Sequence, residues 1–143
     1  MLVDANLLLY AVDVESPDHG VAAAWLTERL NGPRRVGIPW LSLVAFVRIA
    51  THPRASRSPL SPAAAWSHVQ DWLACDVAWT PGPTGRHAEV LGELITRHRL
   101  SGNVVTDAHL AALAIEHGLV VCSADADFAR FAEIRWDNPL RPS

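Results

Sequence analysis

Apolar positions along this chain fall into short blocks of two kinds, and the two kinds alternate. Runs rich in β-branched residues read as buried strands, while runs with apolar residues three and four apart read as amphipathic helices. Residues 2–10, LVDANLLLY, predict a buried strand. Residues 18–31 predict a helix whose apolar stripe is Val21, Ala24, Trp25, Leu26 and Leu30, with Gly32 as its stop. Residues 36–38 predict a short strand ended by Pro39. Residues 40–51 predict a helix with Leu43, Phe46, Val47 and Ala50 inward and Arg48 outward. His52-Pro53-Arg54 ends that helix, because the residue before a proline avoids the helical region. A loop over 54–60 follows, and then Ser61-Pro62 opens a helix as N-cap and first-turn proline. That helix runs to about Cys75 through Trp66, Val69, Trp72 and Leu73. Beyond it the pattern predicts a strand at 77–80, a helix from Thr84 through Leu100, and a strongly amphipathic helix at 104–117 capped by Gly118. A buried strand at 119–122, a helical turn at 128–131 and a last short strand at 134–136 complete the chain.

Strands alternating with helices imply a parallel sheet joined by right-handed crossovers. The expected fold class is α/β: a three-layer α/β/α sandwich around a short, mostly parallel sheet of four or five strands, in one domain spanning 1–143. Half of the residues are hydrophobic, which suits a folded chain with a sizeable core. The longest apolar run, VGIPWLSLVAFVRIA, carries Pro39 and Arg48 and is too short and too interrupted to span a membrane. No signal peptide is expected, since Asp4 lies too near the start for one. Cys75 and Cys122 have no metal-binding spacing and read as reduced thiols, so the expected compartment is the cytoplasm.

Net charge is −3, which argues against a protein that coats nucleic acid indiscriminately. The distribution changes that picture. The chain has no lysine, and between Glu28 and Asp71 it has no acid, while Arg29, Arg34, Arg35, Arg48, Arg54 and Arg57 all fall in that stretch. A cationic middle between acidic flanks reads either as a phosphate-attracting surface beside an acidic one or as solvated arginines in a Pro/Ser-rich loop.

The acids sit at informative places. Asp4, Asp107, and Asp125 with Asp127 each lie between a short apolar run and helix-like sequence. In an open α/β sheet, ligands gather outside the carboxyl ends of the strands. Carboxylates brought together there repel each other by about 4 kcal/mol per pair at ~4 Å and an effective dielectric near 20. A hard divalent cation with oxygen ligands, Mg²⁺ or Mn²⁺, relieves that repulsion. Singly, Asp4 reads equally as a strand-end aspartate on backbone amides, and Asp107 as a first-turn aspartate favoured by the helix dipole. Asp127 reads also as a cap for the turn at Phe128. His52, His87, His98, His109 and His117 show no metal-ligand spacing and read as surface groups, and the tryptophans read as core or dimer contacts rather than base-stacking platforms. A phosphatase built on an aspartate nucleophile wants a second aspartate two residues on, where this chain has Asn6; a receiver domain wants a lysine, and there is none.

Several segments resemble one family in order along essentially the whole chain. DAN after the first apolar residues resembles the opening of the PIN domain, and LVAFVRIATHPR resembles the second-helix segment of VapC-type toxins. NVVTDAHLAALAIEHG, VVCSADADFARF and RWDNPL resemble the closing half. The resemblance implies the toxin of a type II toxin–antitoxin pair: a Mg²⁺-dependent endoribonuclease (with Mn²⁺ as a substitute), homodimeric, and neutralised by a VapB-type antitoxin. It implies Asp4, Asp107 and Asp125 as metal ligands, Asp127 as a fourth catalytic acid in the same loop, and Asn6 and Ser123 as residues that orient the site. Arg48, Arg54 and Arg57 are the candidate contacts to RNA phosphates, since the guanidinium fork pairs with phosphate. Hydrolysis by metal-activated water implies products with a 5′-phosphate and a 3′-hydroxyl. One position departs from the family: its usual glutamate in the second-helix segment is Ala45 here. That departure implies one firmly held ion, and it motivates the rival reading of a degenerate PIN domain that binds RNA or a partner without cleaving.

Overall fold

The computed structural model describes residues 1–142. Five two-residue strands form one sheet: β1 (Leu2–Val3), β2 (Val36–Gly37), β3 (Ala78–Trp79), β4 (Val121–Cys122) and β5 (Trp136–Asp137). Every pairing is parallel and the spatial order is β3-β2-β1-β4-β5. The chain therefore starts in the middle, steps outward to β2 and β3, then crosses back to lay β4 and β5 on the other side. The junction of β1 and β4 is a topological switch point, and the crevice outside its carboxyl ends is where such sheets take ligands.

Six helices cover the two faces: α1 (Ala5–Val12), α2 (His19–Leu30), α3 (Trp40–Ala50), α4 (Pro62–Leu73), α5 (His87–Arg97) and α6 (Val104–His117). Strand side chains alternate between faces. Val3, Val36, Ile38 and Cys122 join Leu7, Leu8, Leu43, Phe46 and Val69 in a core under α1 to α4. Leu2 and Val121 point the other way, into a core with Val90, Leu94, Leu110, Leu113 and Phe128 under α5 and α6. Each fully buried large apolar side chain contributes about 1.5–3 kcal/mol. Gly37 keeps β2 close to its neighbours: a Cβ there would sit 3.0 Å from Pro81 Cγ and 3.1 Å from the Met1 carbonyl oxygen, so one of them would have to shift by a few tenths of an ångström. Gly118 ends α6 at φ 67°, the left-handed cap that glycine takes without strain.

The three-layer α/β/α architecture and the parallel sheet match the expectation, and three segments differ. The expected strand over 2–10 ends after Val3. Asp4 turns the chain, its carboxylate accepting from the Ala5 N–H at 2.8 Å, and the apolar run that follows is α1. Leu7 and Leu8 are buried in either reading, so an unbroken apolar run does not distinguish strand from helix. In α2 the buried residues are Ala22, Leu26 and Leu30, while Val21 stands 52% exposed. Thr84 does not open α5. Its N–H and hydroxyl both donate to Glu116 Oε1 on α6, at 2.9 and 2.7 Å, and the helix starts three residues later.

That contact belongs to a polar pin between α5 and α6, and it corrects the reading of His87, His98 and His109 as surface groups, while His52 is exposed as expected. His87 Nδ1 lies 2.6 Å from Glu116 Oε2, and its Nε2 lies 3.1 Å from His109 Nδ1. His98 meets Glu133 at 2.9 Å and His117 meets the Gly82 carbonyl at 2.7 Å. The Glu116 carboxylate is closed off from solvent. Burial pushes its pKa up, but the hydrogen bonds from His87 and Thr84 outweigh it and leave it below the ordinary 4.5. Burial and the neighbouring His87 lower His109 from the ordinary 6.5. Both groups therefore bind fewer protons folded than unfolded, and stability rises with pH through their range. The pin contributes fully above pH 6.5, weakens as His109 is forced to charge, and weakens again below 4.5 as Glu116 protonates. Melting temperature measured against pH should fall along this course, and Glu116→Gln should flatten the lower part.

Candidate metal centre

The carboxyl ends of β1 and β4 place Asp4 and Asp125 on one rim. The chain enters β4 from the C-terminal end of α6, so the first turn of α6, with Asp107, lies on the same rim. Local sequence shapes each position. Asp4 N-caps α1. Asp125 caps the short 3₁₀ helix Ala126–Arg130, its side chain accepting from the Asp127 N–H at 2.9 Å. Phe128, fully buried, anchors that turn in the core under α5 and α6.

One carboxylate oxygen from each of Asp107, Asp125 and Asp127 lies within 4.8 Å of the others. Asp4 is not in that set. Its Oδ1 faces the Ala5 N–H, and its Oδ2 accepts from the Ser123 hydroxyl at 2.7 Å and the Asn6 amide at 3.4 Å. Asp127 is thus a full member of the cluster, while Asp4 stands beside it on a fixed hydrogen-bond frame. Ser123 is fully buried and uses all its capacity: it donates to Asp4 and accepts from Asn6 Nδ2 and the Asp125 N–H, each at 3.0 Å. Asn6 Oδ1 accepts from the Ala124 N–H at 3.2 Å, and Trp136 Nε1 donates to the Ser123 carbonyl at 3.0 Å. Asn6 and Ser123 therefore join the ends of β1 and β4.

The electrostatics follow from the crowding. Burial, then the charges of Asp125, Asp4 and Asp127, push Asp107 up to about 6, despite the helix N-terminus beneath it. Burial also raises Asp4, against the hydrogen bonds from Ser123 and Ala5, and Asp125 adds to the rise. The only cationic side chain paired with the cluster is Arg130, 3.8 Å from Asp127 and exposed, among the described residues. A group of carboxylates with converging oxygens and a single exposed arginine against it fits a hard divalent cation, and nothing in the donor set favours a softer metal.

The arginines lie elsewhere on the molecule. Arg48 is exposed on α3, and Arg48 and Arg54 line one shallow cleft with Ile49, His52 and Ala55. Arg54 and Arg57 lie beyond the end of α3 away from the acidic rim, since α3 starts at that rim and its 11 residues run roughly 16 Å from it. They can meet phosphates flanking the acidic cluster, but not one held within it. Ala45 leaves α3 without a carboxylate, and no acid elsewhere in residues 29–70 replaces it. The Glu116 pin was missed in the sequence, because His87 and Glu116 are 29 residues apart with no local signal joining them.

The family described as PIN domain matches residues 1–134 of this chain. Ribonuclease VapC37 of Mycobacterium tuberculosis (strain ATCC 25618 / H37Rv) is 47% identical over 138 residues, covering 96% of each chain. Ribonuclease VapC33 of the same organism is 40% identical over 144 residues, covering 99% of each. Among solved structures, VapBC2 from Rickettsia felis, bound to a DNA fragment from their promoter, superposes with a TM-score of 0.69 over 96% of each chain at 16% identity. At that identity the likeness concerns the fold.

Proposed function

The chain belongs to the PIN domain family, and from that premise we propose that it is the toxin of a type II toxin–antitoxin pair, a Mg²⁺-dependent endoribonuclease acting as one domain. The observation that carries the reading is the set of three converging carboxylates, with only Arg130 against them among the described residues, at the switch point of the sheet. Mg²⁺, or Mn²⁺ in its place, supplies charge neutralisation at the scissile phosphate and makes water a stronger nucleophile.

The protein's own residues do the rest. Asp107, Asp125 and Asp127 would hold the ion, and Asp4 completes the acidic rim from its fixed place on Ser123 and Asn6. Asp125 or Asp127 accepts the proton of the attacking water. The water oxygen bonds to phosphorus as the P–O3′ bond breaks, and O3′ takes a proton from solvent, leaving a 5′-phosphate on one fragment and a 3′-hydroxyl on the other. Arg48, Arg54 and Arg57 draw the RNA strand along α3 by its flanking phosphates.

The test is incubation of total cellular RNA with the purified protein and Mg²⁺ or Mn²⁺, with and without chelator. Discrete fragments with 5′-phosphate ends that need the metal support the reading. Ends carrying 2′,3′-cyclic phosphate, or no cleavage at all, overturn it; the latter would favour a PIN domain that binds without cleaving, the reading that Ala45 motivates. A finer check concerns Ser123. Ser123→Ala leaves Asp4, Asn6 and the Asp125 N–H without their shared partner, and groups in that position typically govern metal affinity about 10–100-fold. Mg²⁺ titration of activity should show a loss of that size.

The partner proposed is a VapB-type antitoxin. A cleft of about 600 Å³ lined by Leu9, Tyr10, Val12, Phe46, Ile49 and Leu60, with Asp13 and Glu15 at its edge, offers an apolar seat for a partner segment. The acidic rim is a matching target for a basic side chain at its tail. A homodimer belongs to the same proposal, and a strictly monomeric sedimentation profile at micromolar concentration would count against it. No helix among the described residues is long and apolar enough to cross a membrane.

A further inference from the structure

Two tryptophans stand on the surface of this protein where most of its large apolar side chains are buried. Trp40 is 49% exposed and Trp66 is 45% exposed. Their rings stack on each other with centroids 6.4 Å apart and planes 16° apart. Val44, one turn along α3 from Trp40, is 59% exposed. Of the expected roles, core or dimer contact, core holds for Trp72 and does not hold for this pair.

Position gives the pair its meaning. Trp40 is the first residue of α3 and follows the end of β2 by three residues, so it lies at the carboxyl edge of the sheet, as Asp4 does. The connection is tight: the Ser42 hydroxyl, two residues on, donates to the Val3 carbonyl at 2.8 Å, directly before Asp4. From Trp40 an exposed stripe runs along α3 at four-residue steps through Val44 to Arg48. Trp40 to Arg48 spans roughly 12 Å at 1.5 Å per residue. The stripe continues into the cleft that Arg48 shares with Arg54. Neither arginine makes an ion pair among the described residues, and no acid occurs anywhere in residues 29–70. An aromatic platform at the acidic rim, followed by unpaired guanidinium groups from an acid-free stretch of chain, complements a single RNA strand: a π-face for a base, then charge for the phosphates beside it.

Charge bears on the occupant: Arg48 and Arg54, unpaired at the far end of the stripe, suit an anionic strand.

We propose that Trp40, backed by Trp66, is a stacking subsite for a nucleobase adjoining the scissile phosphate, with Arg48 taking the next phosphate along the strand. The subsite rests on the ribonuclease reading above. Stacking tolerates every base but favours those with the larger π-face, so it biases where the strand is cut.

The test separates this subsite from the reaction it serves. Binding is measured on the Asp107→Asn background with fluorescein-labelled oligoadenylate and oligouridylate, by anisotropy and by quenching of indole fluorescence. Trp40→Ala should weaken oligonucleotide binding by roughly 5- to 150-fold, as loss of one stacked base does. Trp40→Phe should restore most of it, and Trp40→Leu, apolar without a π-face, should not. With Asp107 present, Trp40→Ala should also redistribute the cut sites in total RNA. Sedimentation of each variant should show the same mass as the parent. A lower mass with unchanged RNA affinity overturns the proposal in favour of a contact between copies. Unchanged affinity and unchanged mass overturn it as well, while cleavage by the parent protein keeps the ribonuclease reading intact. If the parent neither binds nor cuts RNA, both fall together.

Discussion

Asp107→Asn is expected to reduce RNA cleavage by about a thousandfold or more while making the metal-free protein more stable. The first effect follows from what a divalent ion contributes. Several kcal/mol of charge stabilisation are lost with the ion, and each 1.36 kcal/mol is a factor of ten in rate. Asp107 is half-buried, and its oxygens converge with those of Asp125 and Asp127, so removing its charge removes the middle of the cluster. The second effect has the opposite sign. Burial and three neighbouring acids raise Asp107 to about 6, so the folded state holds its proton more tightly than the unfolded chain does. A raised carboxyl pKa costs stability as pH climbs from 3.8 through that value, and the cost persists at pH 7. Asparagine keeps the shape and removes the cost, by about 1 kcal/mol once solvent screening of a half-exposed group is allowed for. Cleavage assays and melting curves in chelator check the two halves separately. Lost activity with an unchanged or lower melting temperature would mean that Asp107 is not under the electrostatic load described here.

Phe128→Ala should cost about 3–5 kcal/mol, the range for a large aromatic deleted from a packed core. In a chain of this size that corresponds to a melting temperature lower by roughly 6–20 °C. The side chain is fully buried and lies beside Phe131, with ring centroids 6.3 Å apart. Its second role makes the variant informative. Phe128 is the first buried residue after Asp125 and Asp127, so it is the anchor that brings both carboxylates to Asp107. Cleavage measured well below the melting transition should therefore fall as well. Leu94→Ala is the control: Leu94 lies in the same core, on α5, and is not on the acidic loop. It should lose comparable stability and keep its activity. Equal activity in the two variants would show that the loop holds its geometry without Phe128.

The acidic rim was largely visible in the residues themselves. Asp4, Asp107 and Asp125 each follow or precede a short apolar run, and a parallel α/β sheet delivers all such junctions to one edge. Membership of the cluster was not visible. Asp127, which the resemblance implies as a catalytic acid but not as a metal ligand and which also reads as a turn cap, converges with Asp107 and Asp125, while Asp4 spends its oxygens on Ala5, Ser123 and Asn6. Ala5 and Asn6 are near neighbours, but Ser123 lies 119 residues from Asp4, and no local pattern pairs the two. The error over residues 2–10 has a related cause. LLLYAV has no polar position to reveal a period, so the packing of α1 against its neighbours decided between helix and strand.

What the sequence determined alone is what depends on near neighbours: the alternation of strand and helix, the caps at Ser61 and Gly118, and the segregation of arginine from acid between Glu28 and Asp71. These follow from side-chain volume, backbone freedom and charge within a few residues of each other. Tertiary structure alone decided which carboxylates converge, that His87 and Glu116 close a buried pair, and that two tryptophans stack in the open beside the acidic edge. The reason is physical: hydrogen bonds, ion pairs and ring contacts act over a few ångströms. The parallel sheet brings residues dozens of positions apart within that range, in register no local pattern specifies.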